Sequence, residues 1–491
     1  MREIRRVMLI YPPVTFSPQS MKQSHLPLGL AYIAAVLREK ADIKVLDAAV
    51  EGYHHEEKAG ESLVRYGLPF DEIEKRIRKY GPDLVGMSCI FSSQFRNVAE
   101  ICRRVKSIDP GIITATGGTH PSFLPEMSME RCPELDLIAR GEGEFVLDDV
   151  VDASRSGGDL SGIKGLVWRR GGEVVINETR PPHPDLDSIP FPARDLFPLE
   201  KYHEIGEPMG IVYKRRPFMN IITSRGCPYY CTFCSSTAFW GHKYRKRSAE
   251  NVLGEMEHLY KDLGIREFKF FDDNLTVDRE RAKAIFRGMI DRGIDVTWNT
   301  PNGIHVVSLD DEMLDLMKKS GCYELTLAVE SGDQDVLRDI IKKPTKLDQV
   351  EDAAKKIRKK GFGSYGFFII GFPGETRQQI KNTLEMSKRL DLDRISTFIF
   401  NPLPGTPLFQ ECVDKGYIKL DELTEDVDYF DARFDTPEWT RDELQRMRAE
   451  WFWRYNISLL FRHPVRFFSR YSFFLSRPGL VWRVLKRRIT M

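Results

Sequence analysis

Three cysteines stand in the run Arg225-Gly-Cys227-Pro-Tyr-Tyr-Cys231-Thr-Phe-Cys234, a C-x3-C-x2-C spacing directly behind a short apolar segment. Three thiolates on one tight loop can hold three irons of a [4Fe–4S] cube, whereas closed electron-transfer clusters normally take four cysteines. The fourth iron then stays open to a small molecule, and an open iron implies chemistry at the metal. Two blander readings compete on spacing alone: a zinc knuckle short of one ligand, and three unrelated thiols. Zinc favours four ligands, usually in paired clusters. Here Cys89, Cys102, Cys132, Cys322 and Cys412 are scattered singly and offer no second C-x2-C. The spacing favours the open cube.

Regular elements must present that loop. From Met219 to about residue 410, β-rich runs alternate with helical patterns: Met219–Thr223, Glu267–Phe271, Asp295–Thr300, Glu324–Val329, Ser364–Ile370 and Ser396–Asn401 read as strands. In such α/β arrays ligands gather at the carboxyl ends of the strands, and the cysteines follow the first one. Residues 1–150 show the same rhythm. Strands are expected at Val7–Ile10, Ile43–Leu46, Leu84–Ser88, Ile112–Thr116 and Leu135–Ala139, with helices over Leu28–Arg38, Asp71–Lys79 and Phe95–Ser107. Five strands so ordered suggest a flavodoxin-like doubly wound sheet. Its loops are rich in small residues, as a phosphate or a large flat cofactor requires.

Between the two lies a connector, residues 151–218, with a hairpin around Gly171-Gly172 and prolines 181, 182, 184, 190, 192 and 198. Residues 411–491 read as a helical extension. Within it Thr440–Leu459 is amphipathic, and Phe461–Met491 carries eight Arg/Lys, seven aromatics and no Asp or Glu. That tail suits a membrane surface or anionic amphiphile, single-stranded nucleic acid, or packing on the rest of the chain.

The 491 residues carry 73 basic and 72 acidic groups, so no whole-molecule field recruits nucleic acid. Eight cysteines in a chain this long form no disulfide framework, and a labile cluster needs a reducing compartment. The amino terminus runs straight into a strand and is too short in its apolar part for a signal peptide. No apolar stretch reaches membrane-spanning length. The expectation is a cytoplasmic protein, free or peripheral to the inner face of the membrane.

The cysteine spacing, with Phe233 just before the last cysteine, resembles the radical S-adenosylmethionine (SAM) enzymes, and the loops of residues 1–150 resemble the cobalamin-binding domain that precedes the barrel in one large subgroup. The resemblance covers roughly residues 1–410. It implies an α/β chain: a flavodoxin-like cobalamin-binding domain, a partial (β/α)6 barrel and a helical extension. It further implies a [4Fe–4S] cluster on Cys227, Cys231 and Cys234, with SAM chelated at the free iron. SAM contacts are implied at Phe233, at Asp272-Asp273-Asn274 after the second strand, at Glu330-Ser331 after the fourth, and at Gly371 in the Gly371-Phe-Pro-Gly-Glu375 turn after the fifth. Each has a bland reading as a helix cap or turn.

Cobalamin contacts are implied at Pro12, Asp47, Ala49, Gly52, Ser88, Gly117, Gly118, Thr119, His120, Gly141, Glu142 and Gly143. Where cobalamin mutases carry Asp-x-His-x-x-Gly, this chain reads Asp47-Ala-Ala49-Val-Glu-Gly52. A bound corrin would therefore lack that motif's histidine on cobalt, and His54, His55 and His120 read as surface or tail-contacting residues rather than as cobalt ligands. Arg245 and Arg247 read either as carboxylate partners or as a solvated charge run.

The activity implied is methylation of an unactivated carbon on a small-molecule or lipid-like substrate, with electrons from an external flavodoxin or ferredoxin type donor. A radical cyclisation, oxidation or rearrangement without methyl transfer is the alternative within the family. A cobalamin or redox sensor is the alternative outside it. No general acid or base is singled out.

Overall fold

A computed structural model describes residues 2–17, 20–60, 63–209, 212–420, 431–465 and 467–468. The first sheet contains β1 (Arg6–Tyr11), β2 (Asp42–Asp47), β3 (Leu84–Ser88), β4 (Ile113–Gly117), β5 (Leu137–Ala139), β6 (Leu166–Arg170) and β7 (Glu173–Ile176), in the order β7-β6-β5-β4-β3-β1-β2. The five strands β2-β1-β3-β4-β5 are parallel, which is the flavodoxin-like order. Their crossovers run in opposite directions from β1, so the loops after β1 and β3 part there and leave a crevice for a ligand. The helices follow local chemistry. Phe70–Tyr80 has Asp71 and Glu72 in its first turn and Arg78 and Lys79 in its last, and Gly81 ends it in the left-handed region.

One expectation is corrected here. The Gly171-Gly172 hairpin, assigned to the connector, pairs through β6 antiparallel to β5 and makes the outer edge of the first sheet. Local turn chemistry defines a hairpin but says nothing about which sheet accepts it.

The second sheet contains β8 (Phe218–Ile221), β9 (Glu267–Phe270), β10 (Thr297–Asn299), β11 (Cys322–Glu330), β12 (Gly363–Ile370) and β13 (Arg394–Ile399), all parallel and in chain order. With no reversal of order, right-handed crossovers place every connecting helix on one face. The sheet curls into an open half-barrel whose other face is left to line a cavity. A single apolar core runs from Val7 and Leu9 through Leu26, Leu30 and Ala31 to Met219, Ile221 and Phe268, so both sheets share one interior.

The helix Arg441–Arg462, capped by Thr440, seals the flank of the half-barrel. Leu444, Trp451, Tyr455 and Leu459 pack with Ile370, Phe372, Leu384 and Ile399. Gly371 permits that seating: a Cβ there would stand 2.4 Å from Leu444 Cδ2, and its φ is 83°. Most of the basic-aromatic tail lies outside the described residues.

Buried Glu375 closes the Gly371 turn. Its Oε2 accepts the N–H groups of Gly371 (2.6 Å) and Phe372 (3.1 Å), while Oε1 has no partner. Burial raises its carboxyl from 4.5 to about 8. Between those values the folded chain keeps a proton that the unfolded chain has released. Stability therefore falls as pH rises through the window, by at most about 1.4 kcal/mol per unit. Glu375→Gln should remove this slope: its melting-temperature advantage over wild type grows from about pH 5 to about pH 8, whereas parallel profiles would contradict the assignment.

Candidate functional site

A cavity of about 770 Å3 lies where the carboxyl ends of the two sheets face each other. The first sheet contributes Ser88, Gly117, Gly118, Thr119, Gly141, Glu142 and Gly143. The half-barrel contributes Cys227, Cys231, Phe233, Cys234, Asp273, Asn274 and Glu330, with Phe367, Ile369 and Phe398 on the far wall.

The cysteine loop is tied down on three sides. Asp272, fully buried behind it, accepts the N–H of Thr223 and the hydroxyls of Thr223 (2.6 Å) and Ser224 (2.5 Å). Thr232 donates its N–H to Ile341 O (3.0 Å) and its hydroxyl to Ile340 O (2.7 Å). Ser224–Arg225 pairs antiparallel with Arg245–Lys246. Held this way, all three sulfurs open on the cavity. Burial raises all three thiols, Cys231 to about 11 and Cys234 to about 12, so metal must displace their protons. Among the described residues no group of three His, Cys, Asp or Glu side chains converges on one ion; a cube instead asks for one thiolate on each of three irons. The donor set fits that demand.

Asp273 and Asp272 are neighbours with opposite fates. Asp273 faces the cavity, its Oδ2 is buried without a partner, and burial raises its carboxyl. That orphaned oxygen fits an ammonium group. Glu330 also faces the cavity, in the left-handed region at φ 66°, and is held by Lys343 at 2.9 Å. Lys343, which also donates to Ala328 O (2.6 Å), keeps its charge. Burial opposes that charge, and Glu330 and the nearby Cys231 more than offset the burial. Phe233 lies on the cavity against Phe372, ring centres 5.7 Å apart. Ser331 and Gly371 do not line it. The Ser331 hydroxyl pairs with Thr383 (3.0 Å), and Gly371 meets the C-terminal helix.

On the other side, bare backbone forms the wall. A Cβ on Gly118 (φ 111°) would stand 2.5 Å from Cys89 O, and one on Gly141 would meet nothing within 4 Å. Such a cradle fits a broad, flat group such as a corrin. Pro12, Asp47, Ala49, Gly52 and His120 lie outside the lining. Asp47 accepts the Tyr202 hydroxyl and the Val50 N–H (2.9 Å), and burial raises its carboxyl to about 6. Ala49 packs with Tyr53 and Tyr66. His120 is held by Ser92 Oγ (2.9 Å), and burial lowers it to about 4. His54 meets the Tyr53 ring edge-on, and His55 meets Gly67 O at 3.1 Å.

Arg245 and Arg247 are not solvated; both meet buried carboxylates, Glu142 and Glu255. Arg225, which opens the cysteine motif but received no role from it, links the two sides of the cavity. Its guanidinium donates to Glu144 (2.7 Å) and pairs with Glu142 (3.3 Å), which also takes Arg245. The rings of Tyr32 and Trp240 lie 5.1 and 5.2 Å away. All four charged side chains are at most 7% exposed. Lys343, His25 and His305 also line the cavity without a motif to announce them. His305 is held by Thr345 Oγ1 (3.0 Å), and burial lowers it to about 4.

Comparison with known proteins follows the same division. The Radical SAM superfamily model matches residues 221–387, and the B12 binding domain model matches residues 19–151. The chain is 34% identical to cytidylyl-2-hydroxyethylphosphonate methyltransferase of Streptomyces wedmorensis, over 91% of this chain and 89% of that one. It is 28% identical to anaerobic magnesium-protoporphyrin IX monomethyl ester cyclase of Rubrivivax gelatinosus, over 90% of this chain and 74% of that one. The structure of TsrM from Kitasatospora setae, with cobalamin and a [4Fe-4S] cluster bound, superposes with a TM-score of 0.67 at 19% identity, covering 84% of this chain and 78% of that one.

Removing one member of a buried ion network strands its partners and costs about 3–5 kcal/mol. Arg225→Met should therefore lower the urea midpoint sharply, and adding Glu144→Gln should recover part of the loss. A single variant as stable as wild type would show that the network carries no such load.

Proposed function

Because the chain belongs to the cobalamin-dependent radical SAM enzymes, we propose that it methylates an unactivated carbon of a small-molecule or lipid-like substrate bound in the shared cavity. Its cofactors are a [4Fe–4S] cluster, SAM and cobalamin. When bound, the cluster supplies the electron that cleaves SAM, and cobalamin supplies the carrier through which a methyl group passes.

Cys227, Cys231 and Cys234 would hold the cluster. Asp273, the cavity carboxylate with a free oxygen, would take the SAM ammonium, while Asn274 and Glu330 edge the same space and Phe233 offers an apolar face to the adenine. Gly117, Gly118, Thr119, Gly141 and Gly143 would let the corrin lie close to backbone. With Ala49 buried and Asp47 engaged by Tyr202, the position that gives mutases their cobalt-ligating histidine supplies no base. The protein's part is to place two reactive groups across one cavity, screen them from water and keep its own charges paired. An external flavodoxin or ferredoxin type protein would deliver electrons, and the C-terminal region would make peripheral membrane contact. Among the described residues no helix is long and apolar enough to cross a membrane.

The observation that carries this reading is the convergence of the cysteine loop and the glycine cradle on one cavity. Methyltransferases and a cyclase share the family, and the products separate them. Anaerobically reconstituted protein with SAM, cobalamin and reductant should form both 5′-deoxyadenosine and S-adenosylhomocysteine. Formation of 5′-deoxyadenosine alone would favour the cyclase-type chemistry. Cys231→Ala should lose the iron–sulfur absorbance and both products; full activity in that variant would contradict the radical assignment. Asp273→Asn should keep the cluster absorbance and weaken SAM binding by about 10- to 100-fold, the value of a hydrogen bond to a charged group. Unchanged SAM affinity would remove Asp273 from the site.

A further inference from the structure

The C-terminal helix has two apolar faces, and the half-barrel accounts for only one. The inner face is fixed by Trp451, whose Nε1 donates to Ser387 Oγ (3.0 Å), and by Tyr455, whose hydroxyl donates to Leu392 O (2.9 Å). On the outer face Trp453, Ile457 and Phe461 recur every four residues. Val465 and Phe468 follow past the break at His463. These five side chains are 46% to 82% exposed. Arg454 and Arg462 are exposed beside them. From residue 461 to the end, the sequence carries eight Arg/Lys and no Asp or Glu.

We infer that this face docks on an anionic phospholipid bilayer, the helix lying in the headgroup plane with Trp453, Ile457 and Phe461 inserted. A one-sided apolar stripe flanked by cations is the pattern that binds the interface, and apolar burial and charge act together there. A second copy fits less well: a two-fold contact through the stripe would bring the basic segments of two copies against each other, offset only in part by the exposed Glu450. Single-stranded nucleic acid fits less well too, because Ile457 and Val465 offer no flat face for a base. The helix begins against Gly371, at the cofactor end of the half-barrel, and passes Leu392 just before β13 begins, at the opposite end. Docking therefore anchors the flank and leaves the cavity mouth open. The inference deepens the peripheral contact named above and does not depend on methyl transfer.

Vesicle flotation of the full chain tests it. The chain should float with vesicles of equal parts phosphatidylcholine and phosphatidylglycerol, far less with phosphatidylcholine alone, and less at high salt. Trp453→Ser/Ile457→Ser/Phe461→Ser should weaken flotation by about tenfold or more while keeping the wild-type unfolding midpoint, since all three side chains are exposed. Failure of the wild type to float, equal flotation of the triple variant, or a sedimentation-equilibrium dimer that the triple variant loses would each overturn the inference. A chain that floats but forms neither nucleoside product would instead contradict the proposed function and leave the docking surface standing.

Discussion

Four buried charges hold this molecule's chemistry in register. Arg225, four residues past the first strand of the half-barrel and two before Cys227, ends against Glu142 and Glu144, in the loop that closes the opposite side of the cavity. Arg245 completes the set. Charges removed from water are tolerated only when each finds its partners, and a half-broken network is costlier than none. The two loops are therefore held at a placement where the Arg225–Glu142, Arg225–Glu144 and Arg245–Glu142 pairs form together. The rings of Tyr32 and Trp240, each within cation–π reach of the Arg225 guanidinium, narrow the choice further.

That constraint gives meaning to the rest of the architecture. A doubly wound sheet and an open half-barrel each leave their ligand end unfinished, and here each finishes the other. The continuous apolar core brings the sheets together without fixing orientation, because apolar contact is non-directional; the ion network supplies direction. The same economy of charge appears around the cavity. Glu330 is matched by Lys343, Asp47 by Tyr202, and Asp272 by the Thr223–Ser224 hydroxyls. Asp273 stands apart from them: it lines the cavity, and its Oδ2 is buried with no hydrogen-bond partner.

Much of this was legible in the sequence. The cysteine spacing, the two strand–helix series and the order of loops follow from local periodicity, and the strands fall where periodicity predicts. What escaped was direction and distance. Asp272 and Asp273 are adjacent and identical in type, yet consecutive residues leaving a strand point opposite ways, so one ties the loop from behind and the other faces the site. Gly371 reads as a cofactor turn, but its α-carbon serves the close approach of Leu444. Asp47 and His120 sit in the expected loops with their side chains turned to Tyr202 and Ser92. Arg225 and Glu144 are 81 residues apart, and no local pattern encodes their meeting.

The direct test of the account is the magnetic dipolar coupling between the reduced cluster and cob(II)alamin, measured by electron paramagnetic resonance in wild type and in Arg225→Gln of matched cofactor content. If the buried network sets the two loops, the wild type gives one narrow coupling, and the variant gives a broad or displaced one although both cofactors remain bound. An unchanged coupling in Arg225→Gln would show that the apolar core alone fixes the cavity and that the ionic clamp does not.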